Sequence, residues 1–130
     1  MRAATTTVDP VLRLKAMADE QRLRILNVLQ DGEICVGDLV VLLDAPQPTV
    51  SRNLAILKRA GLVSVRRSGL WAFYDLHRDR DSIQTALYSA LEPCGALPQY
   101  AGDREMGIRL RTTEGCCPEG DASKDCGKAT

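Results

Sequence analysis

Cysteines are the residues with the most distinctive chemistry in this chain of 130 residues, which contains five of them. Cys116 and Cys117 are adjacent near the C-terminus, Cys126 follows nine residues later, and Cys94 and Cys35 lie upstream. An odd number of thiols is a poor basis for a disulfide framework. Because thiolates are soft ligands, the adjacent pair with a nearby third thiol suits a thiophilic, three-coordinate ion or a redox switch.

A second group of polar and basic residues lies between Pro46 and Tyr74. Its polar members are of the types that hydrogen-bond base edges and phosphates; they are Gln47, Thr49, Ser51, Arg52 and Asn53. The stretch has five basic residues and no Asp or Glu, although the whole chain carries 17 of each sign. Its basic residues are Arg52, Lys58, Arg59, Arg66 and Arg67. Such local segregation predicts a polyanion site, and a plain solvated helix face is the alternative.

The polar residues of this stretch are predicted to stand on a short helix. Val50, Leu54 and Leu57 recur at helical spacing and form one apolar stripe. Pro48 suits a first helical turn, and Gly61 suits the residue after a helix end. The polar and basic residues lie mainly off the stripe, so the helix is expected to have one buried side and one cationic side.

Three helices are predicted before this one. In the first, Asp9 is the expected N-cap and Pro10 the first helical residue, with Met17 the last residue at helical spacing. The second covers Glu20–Gln30 behind a cap at Asp19. The third covers about Val36–Leu43. Because only Asp44-Ala45-Pro46 separates it from the cationic helix, the pair is a helix-turn-helix candidate.

The pattern changes to that of strands after Gly61. Residues 62–67 alternate apolar and polar, Ser68-Gly69 is a turn, and residues 70–76 are rich in strand formers. This predicts a β-hairpin, or wing, with Arg66 and Arg67 near its tip. A last helix is predicted at about Asp81–Leu91, before Pro93. The predicted fold is mainly α with a β-hairpin wing, in the order α-α-α-α-β-β-α.

Composition divides the chain into three parts. Residues 1–8 are expected to be disordered, 9–92 to form one domain, and 93–130 to form a loosely folded tail with a weak helical signal at 103–111. The first and last helices of so small a domain are the candidates for a homodimer seam. No apolar run approaches the roughly 18 residues of a membrane span, and no signal peptide is evident, so a cytoplasmic protein without membrane contact is predicted.

Four blocks in this order resemble the ArsR/SmtB family of winged-helix repressors, which metal or metalloid ions release from DNA: residues 33–39, 47–54, 57–63 and 67–74. The resemblance spans about Val11–Leu91. It implies a homodimer on an inverted-repeat operator of double-stranded DNA, with half-sites about one helical turn apart. Arg52 and Asn53 are assigned to base edges, with Gln47 also placed in the DNA-binding set. Asn53 occupies a position where the family often has His. The phosphate contacts are assigned to Thr49, Ser51, Arg66 and Arg67.

The resemblance also directs attention to the sensor. Arsenic-responsive members typically carry Cys-Val-Cys-x-x-Cys at the third helix, where this chain has Cys35, Gly37 and Val40. That site is therefore not transferred, and Cys35 is expected to be a small buried hydrophobe. The Asp, His and Glu residues of a zinc-type site are also missing from the last helix. The single histidine, His77, is interpreted as a surface residue.

The thiols of the C-terminal segment resemble the C-terminal Cys pairs of other arsenic-responsive members. The expected inducer is trivalent arsenic, as arsenite or methylarsenite, bound by Cys116 and Cys117 with Cys94 or Cys126 as a third ligand. Zinc, cadmium and lead are less favoured; zinc usually takes four ligands including His. A thiol-oxidation switch on the same fold is the alternative. A thiol enzyme such as an arsenate reductase, or a metallochaperone, lacks support because the chain has no Gly-rich loop or Cys-x5-Arg pattern; no enzyme is predicted.

Overall fold

The computed structural model describes residues 9–114 and contains helices, three strands and a terminal π-helical turn. The helices are α1 Pro10–Met17, α2 Glu20–Leu29, α3 Val36–Leu43, α4 Gln47–Arg59, α5 Ser82–Ser89, α6 Leu91–Cys94 and α7 Pro98–Arg109. The strands are β1 Ile34–Cys35, β2 Val63–Ser68 and β3 Trp71–Leu76, and the π-helical turn is Leu110–Glu114. The predicted disorder of residues 1–8 and the thiols of Cys116, Cys117 and Cys126 lie outside the described residues.

Aspartate caps fix where three of the helices begin. The side chain of Asp9 accepts a hydrogen bond from Val11 N at 3.2 Å, which satisfies one of the free amides of the first turn of α1. Asp19 caps α2 in the same way, and Asp81 caps α5 with a bond of 2.8 Å from Gln84 N. The cap positions predicted for the first two helices are therefore confirmed.

The core is built from the apolar faces of α2, α3 and α4. Ile25 and Leu26 of α2 are 0% exposed, as are Leu54 and Leu57 of α4. Apolar burial of this extent supplies most of the free energy that holds the helix-turn-helix together. None of the helices among residues 9–114 is long and apolar enough to cross a membrane.

The predicted hairpin is confirmed, and a third strand joins it. Strands β2 and β3 are antiparallel with Ser68 opposite Trp71, so Gly69 and Leu70 form a two-residue loop. Gly69 has a φ of +63°, a conformation that glycine adopts without strain. Strand β1 pairs with β3, which gives the order β1-β3-β2. With only two residues, β1 is too short for its alternation to be recognised in the sequence.

The interpretation of the chain beyond residue 93 as loosely folded is wrong for α7. This helix packs against α2 and α3. Arg24 of α2 donates two hydrogen bonds to the Asp103 carboxylate, at 2.8 and 3.1 Å. Helix α7 lies close to α2 at Gly107, where an added Cβ would lie 3.0 Å from Val28 Cγ1. The domain therefore continues through α7.

Candidate nucleic-acid interface

The helix α4 presents a cationic face to solvent. Val50, Leu54 and Leu57 are buried, which turns the other side of the helix outward. The exposed side carries one polar and three basic residues: Ser51, Arg52, Lys58 and Arg59. At 13 residues the helix is about 20 Å long, which suits insertion of its N-terminal half into a major groove. Gln47 and Thr49, in the first turn, are half-buried.

The two arginines of the wing have different environments. Arg66 Nε donates to the Glu33 carboxylate at 3.2 Å, and Nη2 donates to its other oxygen. The Arg66 guanidinium also lies 4.6 Å from the centroid of the Phe73 ring. Arg67 is exposed, and no hydrogen bond or ion pair within residues 9–114 engages its side chain. Of the two, only Arg67 presents an uncommitted guanidinium.

Asn53 is half-buried at the edge of the apolar face of α4. Its Nδ2 donates to Gln21 Oε1 at 2.6 Å, and its Oδ1 accepts from Arg22 Nη1 at 3.0 Å. Both partners are on α2. Gln21 and Arg22 carry no signal in the sequence, because two polar residues in a first helical turn have no distinguishing spacing.

The described thiols do not form a metal centre. Cys35 is 2% exposed and lies with Phe73 and Trp71, which confirms the expectation of a small buried hydrophobe. Cys94 is half-buried, with its Sγ 3.5 Å from Ala90 O. Between residues 9 and 114 no group of three or more His, Cys, Asp or Glu side chains could hold a metal ion. His77 is half-exposed, with Nδ1 3.2 Å from Asp79 O.

The outer faces of α1 and α5 are apolar and open. Val11 and Leu14 of α1 are each 53% exposed, and Ile83 of α5 is 39% exposed. Arg13 binds the two helices together, because its Nη1 and Nη2 donate to the Asp81 carboxylate at 2.9 and 2.7 Å. These hydrogen bonds hold the pKa of Asp81 well below its usual range. Arg13 thus joins α1 to the start of α5, and both helices leave apolar side chains in water.

A helix-turn-helix with a cationic helix and an adjacent hairpin defines a winged helix-turn-helix DNA-binding protein. Residues 19–65 match the family model described as "Bacterial regulatory protein, arsR family". The arsenic resistance transcriptional regulator ArsR2 of Pseudomonas putida is 34% identical over 110 residues, which cover 83% of this chain and 91% of that protein. The chain therefore belongs to the arsR family of transcription regulators, and the resemblance is confirmed.

Three further similar proteins are one named as an arsenical repressor and two with solved structures. The arsenical resistance operon repressor of Escherichia coli is 46% identical over 68 residues, 52% of this chain and 58% of that protein. The structure of HlyU from Vibrio cholerae is 38% identical, covers 67% of this chain and 91% of that chain, and has a TM-score of 0.59. A homodimeric winged helix-turn-helix domain from Mycobacterium bovis is 29% identical, covers 74% and 91%, and has a TM-score of 0.56.

Proposed function

We propose that this protein is a transcriptional repressor that binds an inverted-repeat operator as an apo homodimer and is released by trivalent arsenic. The exposed cationic face of α4 beside the uncommitted Arg67 of the wing is the observation that carries the DNA-binding part. Arg52 would read base edges and Ser51 would contact phosphate, because both are exposed on α4. Arg66 would have to leave Glu33 before it could contact DNA.

A second copy of the chain is the proposed occupant of the apolar surface formed by α1 and α5. The homodimeric Mycobacterium bovis domain supports this choice. Val11, Leu14 and Ile83 would leave water on association, which is the main driving force for such contacts. A twofold dimer would direct its two α4 helices at successive major grooves, about 34 Å apart. The operator would therefore be an inverted repeat.

The proposed inducer is arsenite or methylarsenite, bound by the thiolates of Cys116 and Cys117. The names of the Escherichia coli and Pseudomonas putida relatives support arsenic, and the adjacent soft ligands suit it. For the third ligand, α7 favours Cys126 over Cys94. The helix of 12 residues, about 18 Å long, lies between Cys94 and Cys116 in the chain, so a site joining those two would have to bridge it.

Fluorescence anisotropy of labelled operator DNA tests the proposal. Under reductant, arsenite and methylarsenite should release the wild-type protein, while cadmium, lead and zinc should release it less. The double variant Cys116→Ser/Cys117→Ser should bind the operator normally and stay bound in arsenite. Cys94→Ser and Cys126→Ser, measured alongside, identify the third ligand. Release of the double variant at wild-type arsenite concentrations would refute the sensor assignment, and absence of operator binding would refute the repressor.

Control by thiol oxidation is the second candidate. Two observations favour it: the Cys94 thiol is partly exposed, and one similar protein is the transcriptional activator HlyU rather than an arsenic regulator. Peroxide would oxidise the Cys94 thiol to a sulfenic acid, which a second thiol could convert into a disulfide with loss of water. Release from DNA by peroxide, with no response to arsenite under reductant, would select this function.

A further inference from the structure

Arg22 joins three helices through one side chain. From the first turn of α2, its Nε donates a hydrogen bond of 2.6 Å to Ala16 O near the end of α1. Its Nη1 donates at 3.0 Å to Oδ1 of Asn53, in the middle of α4. Its Nη2 lies 3.4 Å from Lys15 O, also near the end of α1. The side chain therefore connects the helix of the apolar surface to the helix with the cationic face.

The side-chain amide of Asn53 is held at both ends. While Oδ1 accepts from Arg22, Nδ2 donates to Oε1 of Gln21 at 2.6 Å. Asparagine reads adenine by offering the same two ends of its amide to one base edge. In this structure both ends of the amide are bonded to α2, so Asn53 is held against that helix rather than left free to turn toward a base edge.

The chemistry of arginine suits a connection of this kind. The guanidinium is planar and offers its donors in fixed directions, so bonds to Ala16 and Asn53 restrain the angle between α1 and α4. The carbonyls of the last turn of α1 carry the negative end of the helix dipole, which favours a cation there. Arg22 is half-buried, which limits competition from water.

We propose that Arg22 and Asn53 set the orientation of α4 relative to α1, and that Asn53 is a positioning residue rather than a base reader. This inference rests on the proposed function, in which α1 forms the dimer surface and α4 enters the DNA. Two α4 helices reach successive grooves only if each is held at a defined angle to the dimer axis. The connection through Arg22 therefore determines which half-site spacing the dimer accepts.

Binding of variants to operators of altered spacing tests the inference. The operator is one selected from a randomised DNA library with the wild-type protein, and its derivatives have one base pair inserted or removed between the half-sites. The variants are Arg22→Met, Asn53→Ala and the double variant. Arg104→Met is the matched control, because it removes a half-buried guanidinium that contacts the end of α2 but neither α1 nor α4. Thermal unfolding establishes that each variant is folded.

Arg22→Met should bind the selected operator about tenfold more weakly, as expected for loss of a charge-assisted hydrogen bond. The affinity of Arg22→Met for the operators of altered spacing should be within about threefold of its affinity for the selected operator. The wild type and Arg104→Met should bind the operators of altered spacing about tenfold or more weakly than the selected one. Asn53→Ala should weaken binding to every single-base variant of the operator by the same factor. The double variant should bind the operator as strongly as the weaker of the two single variants, because both changes remove the bond between Arg22 and Asn53.

A readout without DNA separates this inference from the proposed function. Spin labels attached through an unnatural amino acid in place of Ala55, on the exposed side of α4, report the distance between the two α4 helices of a dimer. The distance distribution should broaden in Arg22→Met and Asn53→Ala and not in Arg104→Met. Equal widths in all proteins, wild-type spacing discrimination in Arg22→Met, or loss of discrimination at one base pair in Asn53→Ala would each overturn the inference. A wild type that neither dimerises nor binds the operator would instead refute the repressor.

Discussion

Arginines serve opposite purposes in two regions of this molecule. On α4 and the wing, Arg52 and Arg67 are exposed, and no hydrogen bond or ion pair within residues 9–114 engages the side chain of either one. On α7, Arg104 binds the Asp31 carboxylate at 2.7 and 2.9 Å, and in the π-helical turn that follows it Arg111 donates to three backbone carbonyls. A guanidinium that bonds to the protein contributes to the fold, and one left in water is available to a phosphate.

The difference follows from what each helix can bury. The helix α4 has three fully buried aliphatic residues, so its attachment to the core rests on apolar contacts, and the role proposed for Arg22 concerns only the angle of α4 to α1. The helix α7 buries Asp103 and Gly107, while Met106 and Leu110 are only partly covered. With so little apolar area, docking of α7 depends on ion pairs and charge-assisted hydrogen bonds. The region next to the C-terminal thiols is therefore the one more sensitive to loss of a single charge.

Arg111→Met should have the largest effect on stability. The Arg111 Nε donates to Glu33 O at 2.9 Å, and Nη2 donates to Val28 O and Gly32 O at 2.8 and 2.7 Å. Burial lowers the pKa of Arg111, yet the group stays charged at neutral pH. Because the carbonyls at the end of α2 would lose their donor, we expect the free energy of unfolding in urea to fall by about 2–4 kcal/mol.

The control for this variant is Arg78→Met. Arg78 pairs with Asp75 on the surface, where its side chain is 67% exposed. Such a pair contributes about 0–1 kcal/mol. Equal destabilisation by the two changes would contradict the assignment of Arg111 as the anchor of α7.

Arg67→Ala should affect DNA binding without affecting the fold. Its guanidinium has no partner to lose among residues 9–114, so the free energy of unfolding should change by no more than about 0.5 kcal/mol. Operator affinity should fall about tenfold for all sequences alike, and the slope of log affinity against log salt should decrease in magnitude by about 1. Fluorescence anisotropy at several salt concentrations measures both quantities.

Arg66→Ala is the neighbouring comparison. Loss of the Glu33 pair and the Phe73 contact should lower stability more than Arg67→Ala does. Its effect on the salt slope should be smaller, since Arg66 is committed inside the protein. If Arg67→Ala changed neither affinity nor slope, the wing would not contact DNA.

The parts of the fold held by apolar residues were predictable from the sequence. The third helix was predicted at Val36–Leu43 and lies there, because its leucines and valines match the helical period. The hairpin followed from strand formers on either side of Gly69. In each case the information is local, since a periodic stripe or a turn residue occupies a few adjacent positions.

The polar connections were not predictable, because each depends on a partner far away in the chain. The contacts of α7 with α2 join residues more than 70 positions apart, and α7 has no apolar stripe to reveal them. Arg66 and Arg67 are adjacent and identical, yet only Arg66 lies beside Glu33. Asn53 has the residue type of a base reader, and the structure places its amide against α2. Residue type alone does not distinguish these roles.

Acid should loosen the α7 region by a small amount that depends on Asp31. Hydrogen bonds from Arg104 lower the pKa of Asp31, and the charge of Arg111 acts in the same direction. A carboxylate with a lowered folded pKa stabilises the fold fully above its unfolded pKa of about 3.9, and this contribution disappears as the pH falls through the folded value. Asp31→Asn should therefore reduce the free energy of unfolding at pH 6, by about 1 kcal/mol or less.

The decisive measurement is how the loss of unfolding free energy in Asp31→Asn depends on pH. Urea unfolding of the wild type and Asp31→Asn, compared between pH 6 and pH 2.5, should give two curves that converge below about pH 4, because protonated Asp31 no longer differs in charge from Asn. Glu92, whose Oε2 lies 3.8 Å from Arg104 Nη1, is the other carboxylate at this position, and Glu92→Gln controls for its titration. If Asp31→Asn lowered the free energy of unfolding by the same amount across this range, α7 would be held by shape rather than by charge. Its docking would then no longer differ in kind from the apolar packing of α4.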